Sequence, residues 1–200
     1  MRAYRRLPDD EIVTPLADVL DEASRIAAAR RDVAAFAPIY ETYAVQVYRF
    51  CYRQTGDDEL ANDLTAQIFV RAIERLDRYK QVPGATFRSW LFTIARNALT
   101  DHWRRRQPVQ LMHSRASALI DSDPGPEEVA IHRSEVDDLR RTLDALPSRQ
   151  REIVELRLAG LTTGEVANAM AISIAAVKSA QTRAYSRIRD LMNDQVGGTR

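Results

Sequence analysis

A run of arginines interleaved with aromatic side chains stands near the middle of the chain, and its residue types suit nucleic acid. Guanidinium groups neutralise phosphates and aromatic rings stack on bases, so such a surface fits single-stranded DNA. From Arg96 to Arg106 there are four arginines against Asp101 alone. Other uses of these residues stay open: Trp90 shares a helix face with Ile94, which favours core packing, and the last arginines would also complement a helix dipole. The candidate nucleic-acid ligands here are Arg88, Arg96, Asn97, His102, Trp103, Arg104, Arg105 and Arg106.

A second candidate surface lies near the end of the chain, where no acid occurs between Ala171 and Arg189. If the apolar residues of this helix face inward, its first turns present Lys178, Ser179, Thr182 and Arg183 outward. These turns meet base edges and phosphates when a helix enters a major groove. A solvated basic face is an equally weighted interpretation of the pattern alone. The absence of acids favours DNA.

No constellation of residues points to an enzyme. The chain has no glycine-rich phosphate loop, no His-Glu metal spacing and no nucleophile elbow. A single cysteine, Cys51, excludes an internal disulfide framework and a multi-cysteine metal site, and the three histidines lack ligand spacing. We therefore predict no catalytic residue, no metal, no cofactor and no small-molecule substrate. A helical enzyme is a remote third possibility.

Composition is that of a soluble globular protein. The chain has 200 residues, of which 45% are hydrophobic and 28% charged, with a formal net charge of +1. This balance excludes a uniformly basic coat protein but permits local basic surfaces. No apolar run reaches the length of a membrane span, and Met1 to Asp10 lack a signal-peptide core. We expect a cytoplasmic location without direct membrane insertion.

Apolar residues recur every three or four positions, which predicts helices rather than strands. The pattern covers 33–53, 59–80 and 87–106, and an earlier stripe runs from Ile12 to Ala27. Pro38 should start, kink or end a helix where it stands. Cys51 shares the apolar face of Val47 and Phe50, so a buried core thiol is favoured over a redox sensor.

The last third of the chain has clearer signals for the ends of helices and for turns. Pro147 and Ser148 open a helix that Gly160 ends. Thr162 and Glu165 have the spacing of a capping box before a short helix. Ala171 and Ile172 then turn the chain, and Ser173 can cap the final helix. Two helices joined by so short a turn form a helix-turn-helix.

Turn-forming residues between these parts predict two domains. The stretch 121–126 reads Asp-Ser-Asp-Pro-Gly-Pro, which is typical of a linker. We expect an all-α fold of two helical domains joined by a flexible linker, the C-terminal domain containing the helix-turn-helix. The expected divisions are an N-terminal extension over 1–15, a first domain over 16–106, the linker over 107–134 and a second domain over 135–195.

The two motif-bearing parts resemble one family. The segment FRSWLFTIARNALTDHWRRR, residues 87–106, resembles the promoter-melting segment of extracytoplasmic-function (ECF) sigma factors of bacterial RNA polymerase. The segments 146–152 and 177–179 resemble the C-terminal domain of the same family. The order of a helical domain, a proline-rich linker and a second helical domain is also similar. The resemblance covers roughly Leu16 to Met192.

This resemblance implies a sigma factor that binds core RNA polymerase and directs promoter recognition, DNA melting and transcription initiation. Its implied partners are core RNA polymerase, promoter DNA and an anti-sigma factor. By motif position the minus-thirty-five element would meet Lys178, Ser179, Thr182 and Arg183. The minus-ten element would meet Lys80, Arg88, Arg96, Asn97, Arg104 and Arg105. The polymerase clamp would meet Asp63, Phe69 and Arg71.

A stand-alone helix-turn-helix regulator of the LuxR type is the alternative. In that case residues 31–106 would form a sensing or dimerising domain. Such a protein would bind duplex DNA as a dimer without polymerase, which distinguishes it from a sigma factor.

Overall fold

The computed structural model describes residues 16–81, 84–110 and 141–197. All regular elements within these ranges are helical, so the all-α prediction is confirmed for this part of the chain. The expected N-terminal extension and most of the expected linker lie outside the described residues.

The described residues before position 111 form four α-helices: α1, Leu16–Arg31; α2, Ala37–Thr55; α3, Asp58–Glu74; and α4, Phe87–Gln110. Short 3-10 turns at Val33–Phe36 and Leu76–Arg78 precede α2 and follow α3. The predicted helices are present with shifted ends. The pattern over 59–80 breaks into α3 and the following 3-10 turn, and α4 runs four residues into the expected linker.

Local signals explain where these helices begin and end. Pro38 stands in the first turn of α2, where a backbone N–H has no partner within the helix. Its missing N–H therefore removes no hydrogen bond, and Pro38 starts the helix rather than kinking it. Gly56 ends α2 with a left-handed φ of 69°. Asp57 then caps α3, because its Oδ1 accepts a hydrogen bond from the Leu60 N–H at 3.0 Å. Arg30 fixes α1 by donating from Nε to the carbonyl oxygen of Leu76 at 3.1 Å.

The C-terminal part contains α5, Ser148–Leu158; α6, Thr163–Met170; and α7, Ile174–Gly197; residues 141–144 are also helical. The predicted capping box is present, with Thr162 and Glu165 exchanging side-chain and backbone hydrogen bonds. Ser173 accepts from the Ala176 N–H at 3.2 Å, as expected of a cap on α7. Ala171, between the two helices, has a left-handed φ of 52°. The helix-turn-helix is therefore α6, this turn and α7.

One buried apolar cluster joins the two halves of the molecule. Its members come from α2, α3 and α4 and also from α5, α6 and α7, so it continues across the boundary between the expected domains. Trp90 packs against Phe87 and Tyr79 with ring centroids 5.2 Å apart in each case, in agreement with the predicted core role. The two halves thus lie against one another, α4 beside α6 and α2 beside α5.

Cys51 belongs to the part of this cluster formed by α2. Its side chain is fully buried, in agreement with the expected core thiol. Burial raises the pKa of the Cys51 thiol to about 12, against the weaker opposing effect of a hydrogen bond with Thr65. The thiol is therefore protonated at neutral pH.

Candidate nucleic-acid interface

The first turns of α7 present the expected basic and hydroxyl residues to solvent. Lys178, Ser179, Thr182 and Arg183 are all exposed, whereas Val177 is buried. Arg183 donates from Nη1 to the Ser179 Oγ at 2.7 Å, so these two side chains form a local pair on the surface. The outward orientation agrees with the sequence interpretation. Contact with DNA stays a prediction.

On α4 and the loop before it, four of the expected minus-ten residues are accessible. Lys80, Asn97 and Arg105 are exposed, and Arg104 has 75% of its side chain exposed. Arg104 forms an ion pair with Asp101 at 3.1 Å, which orients it without covering it. These residues leave a basic face available on α4.

Arg88, at the start of α4, is instead engaged by the helix-turn-helix. Its Nε donates to Oε1 of Glu165 at 3.0 Å and its Nη2 donates to Oε2 at 2.7 Å. The Thr86 hydroxyl donates to the same Oε1 at 2.6 Å, and the Thr162 N–H donates to Oε2 at 2.8 Å. Burial alone would raise the pKa of Glu165, but the hydrogen bonds and charge of Arg88, with the other donors, hold that pKa below its usual value.

Arg96, two turns further along α4, is engaged in the same way. Its Nε lies 2.5 Å from Oε1 of Glu152 on α5, and its Nη1 donates to the carbonyl oxygen of Ala169 near the end of α6 at 2.6 Å. Only about a fifth of the Arg96 side chain is exposed, at 21%. The structure therefore separates the expected minus-ten residues into an accessible group and two that the C-terminal half covers.

A polar cavity of about 730 Å³ lies beside these contacts, between the two halves. Phe50 and Trp103 line it from the N-terminal half, and Glu155 lines it from α5. Arg151 donates from Nε to Oε1 of Glu155 at 3.0 Å, while Oε2 has no hydrogen-bond partner among the described residues. Burial raises the pKa of Glu155, and the nearby guanidinium of Arg151 acts against that rise.

The expected polymerase-binding residues on α3 fall into different environments. Asp63 is exposed, and Arg71 is half-buried with its Nη1 3.6 Å from Oδ2 of Asp101. Phe69 is only 4% exposed, because its ring packs edge-on against Phe36 and Tyr40 with centroids 6.3 and 4.7 Å away. In this conformation Phe69 supports the surface from beneath, so the expectation of its direct contact with a partner does not fit its position.

Sequence reasoning did not predict the contacts of Glu152 and Glu165 with the arginines of α4. The spacing of Thr162 and Glu165 identified the latter only as a helix cap. Its second role, with Arg88, depends on a contact between residues 77 positions apart, which local spacing does not report. Glu152 on α5 likewise carries no local signal for its pairing with Arg96.

Comparison with known proteins decides the family. The chain matches the model of sigma-70 region 2 over residues 39–109 and that of sigma-70 region 4 over residues 137–188. It is 33% identical over 162 residues to the ECF RNA polymerase sigma factor SigD of Mycobacterium tuberculosis, an alignment that covers 76% of this chain and 74% of SigD. The chain belongs to the ECF sigma factors.

Two further similarities extend this result. The ECF sigma factor BldN of Streptomyces coelicolor is 32% identical over 162 residues, which cover 80% of this chain and 61% of BldN. The solved structure of the sigma factor RpoE in complex with the anti-sigma factor NepR from Bartonella quintana has a TM-score of 0.61 at 23% identity, covering 79% of this chain and 96% of RpoE, and supports the fold.

Membership in the ECF sigma factors fixes the general function, which is to direct transcription initiation by RNA polymerase. It sets aside the alternative of a LuxR-type regulator, because a sigma-70 region 2 occupies the part of the chain that the alternative assigned to sensing. The family acts in initiation without chemistry of its own. Among the described residues no helix is long and apolar enough to cross a membrane.

Proposed function

We propose that this ECF sigma factor holds promoter DNA with two surfaces while α3 docks on core RNA polymerase. The first turns of α7 read the minus-thirty-five element as duplex, and the basic face of α4, together with Lys80, holds the melted minus-ten strand. The observation that carries the proposal is the presence of both surfaces in one chain, each on the sigma-70 region expected to bear it.

The exposed side chains of α7 support the upstream part of the proposal. Lys178 and Arg183 supply positive charge, and Ser179 and Thr182 supply hydroxyls, all on the solvent side. Phosphate contacts place a recognition helix on the duplex, and a few side chains then distinguish bases. Because the hydroxyl of Thr182 donates to the carbonyl oxygen of Lys178 at 3.0 Å, its oxygen lone pairs remain available to a base or a bridging water.

The exposed part of α3 supports the polymerase contact. Asp63 is exposed, Val70 has 54% of its surface exposed, and Arg71 is half-buried beside them. In the proposed contact, Asp63 and Arg71 supply charged groups to the polymerase and Val70 adds apolar area to the same helix surface. The proposal also includes a partner of the anti-sigma class, a cytoplasmic site of action and no catalysis by this chain. The RpoE–NepR complex contains that class of partner, bound to a protein of the same fold.

Transcription in vitro tests the proposal. The purified chain with core polymerase is expected to give transcripts with defined 5′ ends from genomic DNA fragments. Lys178→Ala and Arg183→Ala should weaken promoter binding, and each should reduce the logarithmic salt slope by about 0.9 if the side chain contacts a phosphate. Arg31→Ala, an exposed position on α1, is the matched control for loss of one positive charge.

Core binding is tested separately from DNA binding. Asp63→Ala and Arg71→Ala should weaken capture of core polymerase, whereas Glu59→Ala, exposed in the first turn of the same helix, should not. Failure of the unaltered chain to bind core polymerase would refute the proposal, and unchanged promoter binding by both α7 variants would refute the assigned α7 face.

A further inference from the structure

The segment between the 3-10 turn Leu76–Arg78 and α4 begins at a backbone position that α1 holds. Arg30, in the last turn of α1, donates from Nε to the carbonyl oxygen of Leu76 at 3.1 Å and from Nη2 to the carbonyl oxygen of Tyr79. These two carbonyl groups lie 46 and 49 positions further along the chain. One guanidinium thus joins the end of the first helix to the end of the 3-10 turn.

The hydrogen bond to Tyr79 fixes more than one backbone group. The C=O of Tyr79 and the N–H of Lys80 belong to one planar peptide unit, so a donor that fixes the carbonyl also fixes the direction of the N–H. Tyr79 has an extended backbone with a ψ of 126°, and the chain leaves the turn at this residue. Arg30 therefore sets the direction in which Lys80, an exposed residue, leaves the fold.

The side chain of Tyr79 is held independently of Arg30. It is 5% exposed, and its ring centroid lies 5.4 Å from that of Phe87 and 5.2 Å from that of Trp90. This aromatic packing uses none of the donors of the guanidinium. Loss of the Arg30 side chain should thus release the peptide unit that follows Tyr79 while the ring remains buried.

The two ends of the segment are fixed in different ways. At the far end, the Ser89 N–H donates to the Thr86 hydroxyl oxygen at 3.1 Å, and the Thr86 N–H donates to the Ser89 hydroxyl oxygen at 3.2 Å. These reciprocal bonds cap α4 with residues that are neighbours in the sequence. At the near end, the Tyr79 N–H donates locally to the carbonyl oxygen of Leu76 at 3.1 Å, but the carbonyl of Tyr79 is bound by Arg30 from another helix.

We propose that Arg30 is a positioning residue for recognition of the minus-ten element. Its guanidinium holds the peptide unit between Tyr79 and Lys80 in the orientation that presents Lys80 to the melted strand, beside the basic face of α4. A binding residue that supporting contacts already hold in place loses less freedom when its ligand binds. The inference rests on the proposed assignment of Lys80 and α4 to the minus-ten element. Through Arg30, α1 takes part in the choice of promoter.

Transcription by holoenzymes that contain variant chains tests the proposal. Each holoenzyme is assayed on one promoter that the unaltered chain transcribes, and on templates with single base changes in its minus-ten or minus-thirty-five element. The ratio of transcript from the original template to transcript from the changed template measures discrimination at that element. Because both templates meet the same holoenzyme, a loss of folded or core-bound chain lowers both yields and leaves the ratio unchanged.

Arg30→Ala should lower the largest minus-ten ratio about tenfold, which lies within the usual cost of one wrong base, and should leave the minus-thirty-five ratios unchanged. Arg31→Ala removes the same charge from the neighbouring exposed position and should change neither set of ratios. Arg30→Lys keeps the charge and a donor group but not the planar fork, so its minus-ten ratio should lie between those of Arg30→Ala and the unaltered chain. Arg30→Lys carries the test if Arg30→Ala does not fold.

Hydrogen exchange of the full chain, without DNA or polymerase, gives a second measurement. Amide hydrogens in peptides that contain Tyr79 and Lys80 should exchange at least about threefold faster in Arg30→Ala than in Arg31→Ala, because local opening of the turn no longer breaks the bonds from Arg30.

The outcomes separate this inference from the proposed function. Equal minus-ten ratios in Arg30→Ala and the unaltered chain would overturn the inference, and so would an equal fall at both promoter elements. Faster exchange with unchanged minus-ten ratios would show that Arg30 only stabilises the turn. Absence of transcripts from the unaltered chain would refute the proposed function and this inference with it, while the exchange result would still report whether Arg30 holds the turn.

Discussion

Arg88 and Glu165 stand 77 positions apart in the sequence and meet as a two-pronged ion pair, Nε to Oε1 at 3.0 Å and Nη2 to Oε2 at 2.7 Å. Arg88→Lys should lower the free energy of unfolding by about 1–2 kcal/mol, because a lysine ammonium cannot reproduce the two parallel bonds to a largely buried carboxylate. Urea denaturation measures this change. Arg104→Lys, at a mostly exposed position, should leave stability nearly unchanged. Equal stability of the two variants would show that water replaces the lost bond.

Acid should weaken the contact between the two halves through Glu165. Its pKa in the folded chain is lowered, so the carboxylate contributes stability that is complete above its unfolded pKa of about 4.3 and is lost as the pH falls through the lower folded value. The free energy of unfolding should therefore fall less steeply below about pH 4.3 in Glu165→Gln than in the unaltered chain. Parallel pH profiles for the two proteins would contradict the assignment.

The turn of the helix-turn-helix contains a residue under backbone strain. Ala171 has a φ of 52°, a conformation that glycine adopts without steric cost. Ala171→Gly should raise the free energy of unfolding by about 0.5–1 kcal/mol, since relief of strain exceeds the entropy that glycine adds to the unfolded chain. Ala66→Gly, in the exposed interior of α3, should instead lower it by about 1 kcal/mol. Destabilisation by both changes would argue against a left-handed residue at the turn.

Cys51 should be inert in the folded protein. The raised pKa of about 12 leaves almost no thiolate at pH 8, and the side chain is fully buried. Modification by a thiol reagent should therefore be at least about a thousandfold slower than in the urea-unfolded chain. The reaction is followed by the absorbance of the thiolate that the reagent releases when it modifies Cys51. The Cys51→Ala variant, which has no thiol, gives the background absorbance. Rapid modification without urea would place the thiol at the surface.

The sequence predicted most of the local structure because the relevant signals are local. Apolar spacing identified the helices, and Thr162 and Ser173 fixed the start of α6 and α7. The outward side of α7 also followed, because one face of an amphipathic helix determines the other. The ends of the helices were predicted less accurately. The pattern over 59–80 predicts one helix, whereas the structure has a 3-10 turn that begins at Leu76.

The sequence did not predict how the two halves meet. Arg96 and Glu152 are 56 positions apart, and their pairing depends on how α4 packs against the C-terminal helices. An arginine on an amphipathic helix looks the same in a sequence whether it faces solvent, DNA or a carboxylate. The same limit applies to Phe69. Its position on a helix can be predicted from the sequence, but its burial depends on packing against Phe36 and Tyr40, which the sequence does not report.

The placement of the two tryptophans gives the molecule an internal optical reporter. Trp90 packs among aromatic rings of the N-terminal half, whereas Trp103 lines the cavity shared with α5. Separation of the halves would hydrate the second indole and leave the first in its apolar surroundings. In a Trp90→Phe background, a red shift of the emission would therefore report opening in real time, without an attached dye.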